Sequence, residues 1–451
     1  PLDCPPVCGA NRRVFVFSGF GFSNGCVMSV SSLNLSSFGK KLCSDAGIVT
    51  LMDDLGEALR VNPDMIFMGG GNPARIPAME QAFASALQAT LENARAAHEL
   101  LGLYQPPQGD AQLLDEIASL LKREYGWAIS RENIALSNGS QSAFFVLFNL
   151  FAGDYPDGSK KKIQLPLTPE YLGYSDLGIS ADFFTATRPS IELLAEGFFK
   201  YHVDFDQLHI TAETGALCVS RPTNPTGNVI SDEELLKLDA LARRHRLPFI
   251  VDGAYGTPFP NILFVDAEPH WNRNTILVLS LSKLGLPGAR TGIVIADPDV
   301  IEAFAKANTI LSLATGNFGP AVARQLLKDG DILRLSREVV APFYRHRMEM
   351  AVAAFKNALG DLPCLIHKPE GAIFLWLWFK DLPISSEELY QRLKARGVLV
   401  VSGHHFFPGL AEDWQHRHEC IRVTYCQDPD VVARGAAIIA DEVRGIYGAA
   451  G

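Results

Sequence analysis

The chain has 451 residues, 47% of them hydrophobic and 20% charged, which excludes wholesale disorder and leads us to expect two or three domains. Forty Lys and Arg against fifty Asp and Glu give a formal net charge of −10, which argues against nucleic acid or an anionic membrane as the main partner. No apolar run reaches the ~20 residues that span a bilayer. Eight scattered cysteines predict buried thiols rather than a disulfide scaffold or a metal site, so we expect a soluble cytoplasmic protein.

The first 27 residues differ from the rest of the chain. They are rich in Pro, Gly and Cys and show no helical period. Arg12 and Arg13 precede an apolar stretch that loosely resembles a secretory signal, but glycines interrupt the stretch and no convincing cleavage site follows. We interpret residues 1–27 as a non-native or disordered extension.

Strands and helices alternate through the middle of the chain. Helical spacing of apolar residues predicts a helix over 111–124, and a short strand at 133–137 leads into a second, apolar helix. Further apolar strands are predicted at 216–220, 247–252, 275–282 and 291–297. Ser231 and Glu234 form a capping box that begins a helix between two of these strands. This alternation is typical of an α/β domain with a mostly parallel sheet, which we place at 76–325.

The last third of the sequence has a different pattern. Amphipathic helices and apolar strands alternate there at 320–358, 372–379, 386–396 and 421–426. Such a pattern indicates a smaller α+β domain. We place this domain at 326–451 and expect residues 28–75 to form an N-terminal segment that joins it.

Polar and small residues follow the predicted strands where ligands bind in open parallel sheets. Gly139, Ser140 and Gln141 open a helix, and the free N–H groups of a helix start bind phosphate, although taken alone these residues are more simply explained as an ordinary N-cap. Asn224 lies in the turn NPTG, which turn chemistry alone explains.

Three further side chains of this kind carry chemistry. Asp252 ends an apolar strand, where an unpaired carboxylate is costly, and Tyr255 follows as either a site residue or a core aromatic. Lys283 follows another apolar strand, a position that favours a lowered pKa and Schiff-base chemistry. Arg290 comes seven residues later, after a glycine-rich stretch.

Together these motifs resemble the pyridoxal-phosphate enzymes of the aspartate aminotransferase fold. The resemblance covers roughly residues 36–445 and rests on the order and spacing of several motifs. These are GGGNP (69–73), Tyr104 followed by Gly109, NPTG (224–227), DGAY (252–255), SLSKLGLPGARTG (280–292), PEGAIFLW (369–376) and the run from FFPG to Arg422. The resemblance implies fold type I of the pyridoxal-phosphate-dependent transferases, with a large domain whose mixed, mostly parallel sheet lies between helices, and a smaller α+β domain. The Lys-to-Arg spacing of seven is one shorter than is common in the family.

The resemblance also assigns roles to residues of this chain. Lys283 would bind pyridoxal 5'-phosphate as a Schiff base and then move the substrate proton, while Asp252 would pair with the pyridine nitrogen. Tyr255 and Asn224 would hydrogen bond the cofactor's phenolic oxygen, and Arg422 would bind the substrate carboxylate. The remaining implied contacts are Gly139, Ser140, Gln141, Ser280 and Arg290 around the cofactor phosphate, Tyr171 stacked on its ring, Gly71 near the substrate, and Tyr104 reaching the phosphate of the neighbouring subunit in a homodimer.

Three functions remain open at this stage. The first is a transaminase that exchanges an amino group between a neutral aliphatic amino acid and pyruvate by a ping-pong cycle. An acidic substrate would need a second cation facing its side chain, and the motif loops offer none, with Arg75 and Arg345 as the exceptions left open. The second is another enzyme of the same fold, such as a β-lyase or a transaminase with other substrates. The third is a regulator fused to a DNA-binding module, which would require a basic N-terminal segment that residues 1–60 do not provide.

Overall fold

The computed structural model describes residues 33–43, 47–328 and 330–450, so the extension predicted at 1–27 lies outside the described residues. The chain divides into two units, 1–44 and 45–451. In the first unit the helix α1 (Ser37–Leu42) begins at Ser36, whose Oγ accepts a hydrogen bond from the Gly39 N–H at 3.1 Å. All further description concerns the second unit.

The second unit contains helices and strands in alternation. Its helices are α2 (Gly47–Val61), α3 (Pro77–Glu92), α4 (Ala94–Gly102), α5 (Ala111–Tyr125), α6 (Ser140–Phe151), α7 (Asp232–His245), α8 (Pro298–Ser312), α9 (Phe318–Lys328), α10 (Asp331–Leu335), α11 (Ala341–Leu359), α12 (Ser386–Ala395) and α13 (Pro429–Ala450). Its strands are β1 (Ile66–Phe67), β2 (Ile134–Ser137), β3 (Gly153–Asp154), β4 (Lys160–Leu165), β5 (Phe184–Ala186), β6 (Ser190–Leu193), β7 (Phe198–His202), β8 (Thr214–Ser220), β9 (Phe249–Asp252), β10 (Thr275–Ser280), β11 (Gly292–Ile295), β12 (Cys364–His367), β13 (Phe374–Phe379), β14 (Val398–Leu399), β15 (Val401–Ser402) and β16 (Cys420–Thr424). Short 3-10 helices lie at Arg131–Asn133, Leu172–Tyr174, Ala195–Gly197, Ser282–Leu284, Pro287–Ala289, Gly403–Phe406 and Gln415–His418, and a π-helix at Ser336–Val340.

The eight-stranded sheet has the order β2-β11-β10-β9-β8-β4-β3, with β5 paired to β4. Strands β4, β5, β8, β9 and β10 run parallel, whereas β11 is antiparallel to both of its neighbours. Ser220 pairs with Asp252 at the ends of β8 and β9, and Ser280 ends β10 on the next position of the sheet. The register therefore brings the polar ends of three predicted strands to one edge.

A six-stranded sheet of order β15-β16-β13-β12-β7-β6 holds most strands of the last third. The hairpin β6–β7 joins it although its residues fall within the range 76–325, because β7 pairs in parallel with β12. Strand β1 pairs with β14, which connects the segment before residue 75 to the C-terminal part of the chain. The division at 76–325 and 326–451 remains a prediction.

Local sequence signals account for the elements around the site. The capping box of α7 forms as predicted, since the Glu234 N–H donates to Ser231 Oγ while the Glu234 carboxylate accepts from the Ser231 N–H. Helix α6 buries Phe144, Leu147 and Phe148 against the eight-stranded sheet, which fixes its N-terminus at the sheet edge. Among the described residues, no helix combines the length and apolarity needed to cross a bilayer.

Candidate active site

A cavity of about 660 Å³, counted out to its open mouth, lies at the carboxyl ends of β8, β9 and β10. Its lining includes nine of the residues predicted from the sequence, namely Ser140, Gln141, Tyr171, Asn224, Asp252, Tyr255, Ser280, Lys283 and Arg290. Parallel strands bring their carboxyl ends to one edge, so residues far apart in the sequence meet there.

Asp252 lies at the bottom of this cavity as a buried carboxyl group with two neutral donors. Its Oδ2 accepts a hydrogen bond from the Tyr174 hydroxyl at 2.6 Å, and its Oδ1 accepts from the Ala254 N–H at 2.9 Å. Burial raises the pKa of Asp252, and the hydrogen bond from Tyr174 opposes that rise. A cation placed against the carboxylate would remove the cost of its burial, so the group is suited to hold a protonated nitrogen.

Lys283 lies on the 3-10 helix Ser282–Leu284, directly after β10. Its Nζ donates to the Gly71 carbonyl at 2.6 Å and lies 5.4 Å from the centre of the Tyr255 ring. Burial lowers the pKa of Lys283 to about 8, which leaves an appreciable neutral fraction near pH 7. A neutral amine at the edge of a parallel sheet can attack a carbonyl carbon.

Arg290 and the N-terminus of α6 form an anion-binding corner of the cavity. Gly139 precedes α6 with φ +92, and a Cβ built there would lie 2.1 Å from Arg290 Nη2, so only glycine allows this close approach. The segment from Lys283 to Arg290 contains two 3-10 turns, 282–284 and 287–289. A guanidinium beside free helix N–H groups favours phosphate.

Arg422, on β16, is a buried guanidinium that is held by neutral acceptors. Its Nη1 donates to Asn224 Oδ1 at 2.8 Å and its Nη2 to the Gly69 carbonyl at 2.7 Å, while Nε has no partner among the described residues. The guanidinium also stacks 4.1 Å from the centre of the Phe374 ring. Burial lowers the pKa of Arg422 to about 10, which leaves the group a cation near neutral pH, and no carboxylate in the described part of the chain pairs with it.

The aromatic residues occupy different positions relative to the cavity. Tyr171 and Tyr255 line it, and burial raises the pKa of both hydroxyls, which keeps them protonated as donors. Gln141 lines it too, although its Nε2 donates to the Gly173 carbonyl at 3.0 Å. Tyr104 is not among the residues that line the cavity, and it is 83% exposed.

Several residues of the site were missed by the sequence analysis. Tyr174 and Ser220 surround Asp252, and Ser282 Oγ lies 3.5 Å from Arg290 Nη1. Glu170 is fully enclosed behind them. Tyr174 and Glu170 both belong to the stretch PEYLGY, whose three polar side chains within an apolar run were the available signal.

The residues present fit pyridoxal phosphate. The corner formed by Gly139, Ser140 and Arg290 can hold a phosphate, and a Cβ at position 139 would displace the Arg290 guanidinium from it. The neutral amine of Lys283 can react with the cofactor's aldehyde, and the Asp252 carboxylate can pair with its ring nitrogen. Arg422 Nη1 donates to Asn224, which lines the cavity, so its guanidinium charge lies next to a place for a second anion.

The fold and this donor set are those of an aminotransferase, and comparisons with known proteins agree. Residues 72–439 match the family described as aminotransferase class I and II. The chain is 55% identical to the valine–pyruvate aminotransferase of Escherichia coli (strain K12), a match that covers 91% of this chain and 98% of that protein. The crystal structure of the valine–pyruvate aminotransferase of Salmonella typhimurium LT2 superposes with a TM-score of 0.83 at 54% identity, covering 89% of this chain and 100% of that one. The aspartate aminotransferase of Thermus thermophilus has the same fold, with a TM-score of 0.74 at 22% identity over 91% of this chain and 100% of that one.

The chain belongs to the class I and II aminotransferase family. The predicted fold class, an α/β pyridoxal-phosphate transferase fold of type I, is confirmed. The cofactor is pyridoxal 5'-phosphate, as predicted, and the protein is an aminotransferase. The roles of individual site residues remain predictions.

Proposed function

We propose that this enzyme exchanges the amino group between L-valine, or a similar aliphatic amino acid, and pyruvate, giving 3-methyl-2-oxobutanoate and L-alanine in two alternating half-reactions. The observation that carries the proposal is Arg422, a buried cation with which no described carboxylate pairs and whose Nη1 donates to Asn224, a residue that lines the cavity together with Lys283. Every amino acid and every 2-oxo acid in such an exchange carries the carboxylate that this guanidinium lacks. The names of the relatives supply the particular pair of substrates.

The chain's own residues divide the work of the reaction. Bound pyridoxal phosphate supplies an electron-withdrawing ring that stabilises the charge left when the substrate loses its Cα proton. Asp252 would keep the ring nitrogen protonated, and Lys283 Nζ would take the proton from the substrate Cα and deliver it to the cofactor's C4′ carbon, which a pKa of about 8 favours near neutral pH. Tyr255 and Asn224 donate hydrogen bonds to the ring oxygen, and Tyr171 stacks on the ring.

Further residues hold the phosphate and the substrate. The proposed phosphate ligands are the Ser140 and Ser280 hydroxyls, the N-terminal amides of α6 after Gly139, and Arg290, with Gln141 beside them. The Gly71 carbonyl accepts from Lys283 Nζ at 2.6 Å, which orients the amine toward the substrate.

The charges around the cavity favour a neutral substrate side chain. Arg75, one of the two residues that could have bound an acidic substrate side chain, is exposed, and its Nε lies 2.7 Å from Glu80 Oε1. Arg345 donates to the Phe264 carbonyl at 3.0 Å and packs on the Phe264 ring. An acidic side chain would therefore bury an unpaired carboxylate, which is strongly unfavourable.

We propose that the enzyme is a cytoplasmic homodimer. An exposed apolar patch supports the dimer and consists of Leu101, Leu103, Tyr104, Ile310, Leu311 and Leu313. Asn317 Nδ2 links the two halves of this patch because it donates to the Leu100 and Leu103 carbonyls at 3.2 and 2.8 Å. A second copy on this patch would cover apolar surface and bring its Tyr104 to the phosphate corner.

The proposed activity is tested by comparing kcat/KM for valine, alanine, 2-aminobutyrate, aspartate and phenylalanine with a fixed oxo-acid acceptor. A missing methylene changes kcat/KM by about 10–200-fold, so aliphatic amino acids should react at graded rates. Aspartate should react far more slowly than valine. If aspartate or phenylalanine reacted faster than valine, the enzyme would remain an aminotransferase but the proposed substrates would be wrong.

A further inference from the structure

Glu170 is a buried carboxyl group that the proposed mechanism does not use. It follows β4, and only 1% of its surface is exposed. Its Oε1 accepts from the Ser220 N–H at 2.8 Å, and its Oε2 lies 2.5 Å from Ser220 Oγ. Within the described ranges, no Lys or Arg side chain hydrogen bonds to this carboxyl group. A buried carboxylate without a cation is unstable, so its protonation state matters.

A chain of hydroxyl groups connects Glu170 to Asp252. Ser220 Oγ lies 3.3 Å from the Tyr174 hydroxyl, which donates to Asp252 Oδ2 at 2.6 Å. Tyr174 has one proton and gives it to Asp252. Ser220 also has one proton, so it can give it to an ionised Glu170 or to Tyr174, but not to both.

The protonation of Glu170 therefore sets the direction of the chain. A protonated Glu170 donates to Ser220 Oγ, which frees the Ser220 proton for the Tyr174 oxygen. Every hydrogen bond then points toward Asp252, and aligned hydrogen bonds strengthen one another. An ionised Glu170 instead draws the Ser220 proton away and leaves two oxygen lone pairs facing each other across 3.3 Å.

We propose that Glu170 is a positioning residue that, as a neutral acid, aligns the chain Glu170–Ser220–Tyr174 and holds Asp252 as the carboxylate partner of the cofactor's ring nitrogen. The inference rests on the proposed function, since it assigns Asp252 to that nitrogen. Glu170 would then be a second carboxyl group, out of contact with the substrate, that controls how strongly the cofactor ring withdraws electrons.

Burial supports the neutral form of Glu170. It raises the pKa of Glu170 to about 8, and the nearby Asp252 charge acts in the same direction. The titratable groups around it are Tyr171 and Tyr174 on its own segment, Cys218 on β8 and Asp252 on β9. From the 3-10 helix Gly403–Phe406, the Phe406 carbonyl accepts a hydrogen bond from the Glu170 backbone N–H at 2.8 Å.

The test compares Glu170→Gln with Glu170→Leu in the holoenzyme. A glutamine keeps an N–H donor toward Ser220 Oγ at every pH, so it should preserve the aligned chain, whereas leucine removes it. The direct readout is the ¹⁵N chemical shift of the cofactor's labelled ring nitrogen as a function of pH. Glu419→Gln, at another buried glutamate that accepts from Trp378 Nε1 at 2.8 Å, serves as the matched control.

We expect the ring nitrogen of the wild type to lose its proton at lower pH than that of Glu170→Gln, because the wild-type chain reverses as Glu170, whose pKa is about 8, ionises. Glu170→Leu should shift the nitrogen toward its unprotonated form and lower kcat about tenfold with little change in KM, on the scale of one aligned hydrogen bond. Ser220→Ala breaks the hydrogen-bond chain in its middle and should give the same shift of the ring nitrogen. It therefore replaces Glu170→Leu if the leucine variant does not fold. The control should match the wild type.

Equal nitrogen titrations in the wild type, Glu170→Gln and Ser220→Ala would overturn the inference. The proposed function would survive that result, because valine–pyruvate exchange is measured separately on the wild type. Conversely, a wild type that fails to exchange valine with pyruvate would refute the proposed substrates, while the nitrogen titration would still report on Glu170.

Discussion

The lowered pKa of Lys283 predicts how the apoprotein takes up its cofactor. Only the neutral amine attacks an aldehyde, and burial lowers the pKa of Lys283 to about 8 from an ordinary value of 10.5. Covalent capture of added pyridoxal phosphate should therefore accelerate about tenfold per pH unit up to about pH 8 and then level off. Stopped-flow absorbance measures this rate. Free lysine is the control and should continue to accelerate toward pH 10, and a capture rate that rises in parallel with it would contradict the lowered pKa.

Borohydride reduction of the loaded protein identifies the amine that has reacted. The label should be found on the peptide containing Lys283. Lys283→Ala should bind the cofactor without labelling and without turnover, because the ring and phosphate contacts do not involve that side chain. A label on another lysine would refute the assignment.

The fork of Arg422 predicts a uniform effect on all substrates. Each of its two outer nitrogens donates only one of its two N–H groups, to Asn224 or to the Gly69 carbonyl, so the second N–H of each nitrogen and the planar charge remain for a carboxylate. Arg422→Lys keeps the charge but loses the planar fork, and kcat/KM should fall about 100-fold, or roughly 2.7 kcal/mol, for valine and alanine alike. Steady-state kinetics with both amino acids measure this. A loss confined to one of them would place Arg422 at the side-chain pocket instead.

The sequence predicted residues whose chemistry is unusual for their position. Lys283 follows an apolar strand and Asp252 ends one, so the amino-acid order alone marked both as candidates, whereas Asn224 lies in an ordinary turn and became a candidate only through the family resemblance. Glu170 and Tyr174 were not identified, because their meaning depends on Ser220, which the register of β8 against β9 places beside Asp252. Contacts between residues on neighbouring strands depend on strand pairing and register, which a single sequence does not specify.

Among the secondary-structure elements, the start of α6 depends on Gly139. A Cβ at this residue would lie 2.1 Å from Arg290 Nη2 and would displace the guanidinium from the phosphate corner. Gly139→Ala should therefore weaken cofactor binding by at least about tenfold. The matched control is Gly158→Ala, since Gly158 has a similar positive φ of 81 but no atom near its Cβ position. Titration of the apoproteins with pyridoxal phosphate measures both affinities, and equal losses would show that backbone strain alone is responsible.

Element boundaries in the eight-stranded sheet could be predicted because its central strands are apolar throughout. Strands β9 and β10 lie within the ranges expected from the sequence, and β8 begins two residues before its expected range and ends with it. The hairpin β6–β7 was not predicted. Strand β6 has exposed residues at three of its four positions, and β7 pairs with β12 from a distant part of the chain. A short strand whose partner is remote in sequence carries little local signal.

For the assembled protein, the apolar patch predicts a dimer that a single charge disrupts. Ile310 is 88% exposed on α8 and belongs to the exposed apolar residues that also include Leu311, Leu313 and Tyr104. In the proposed dimer Ile310→Asp would bury an unpaired carboxylate, so the variant should sediment as a monomer and lose cofactor together with activity. The matched control is Leu236→Asp, on α7, where the side chain is also exposed, at 53%, but lies outside the patch. This control should sediment and react as the wild type does. An active Ile310→Asp monomer would show that each active site is complete within one chain and that Tyr104 has no role across an interface.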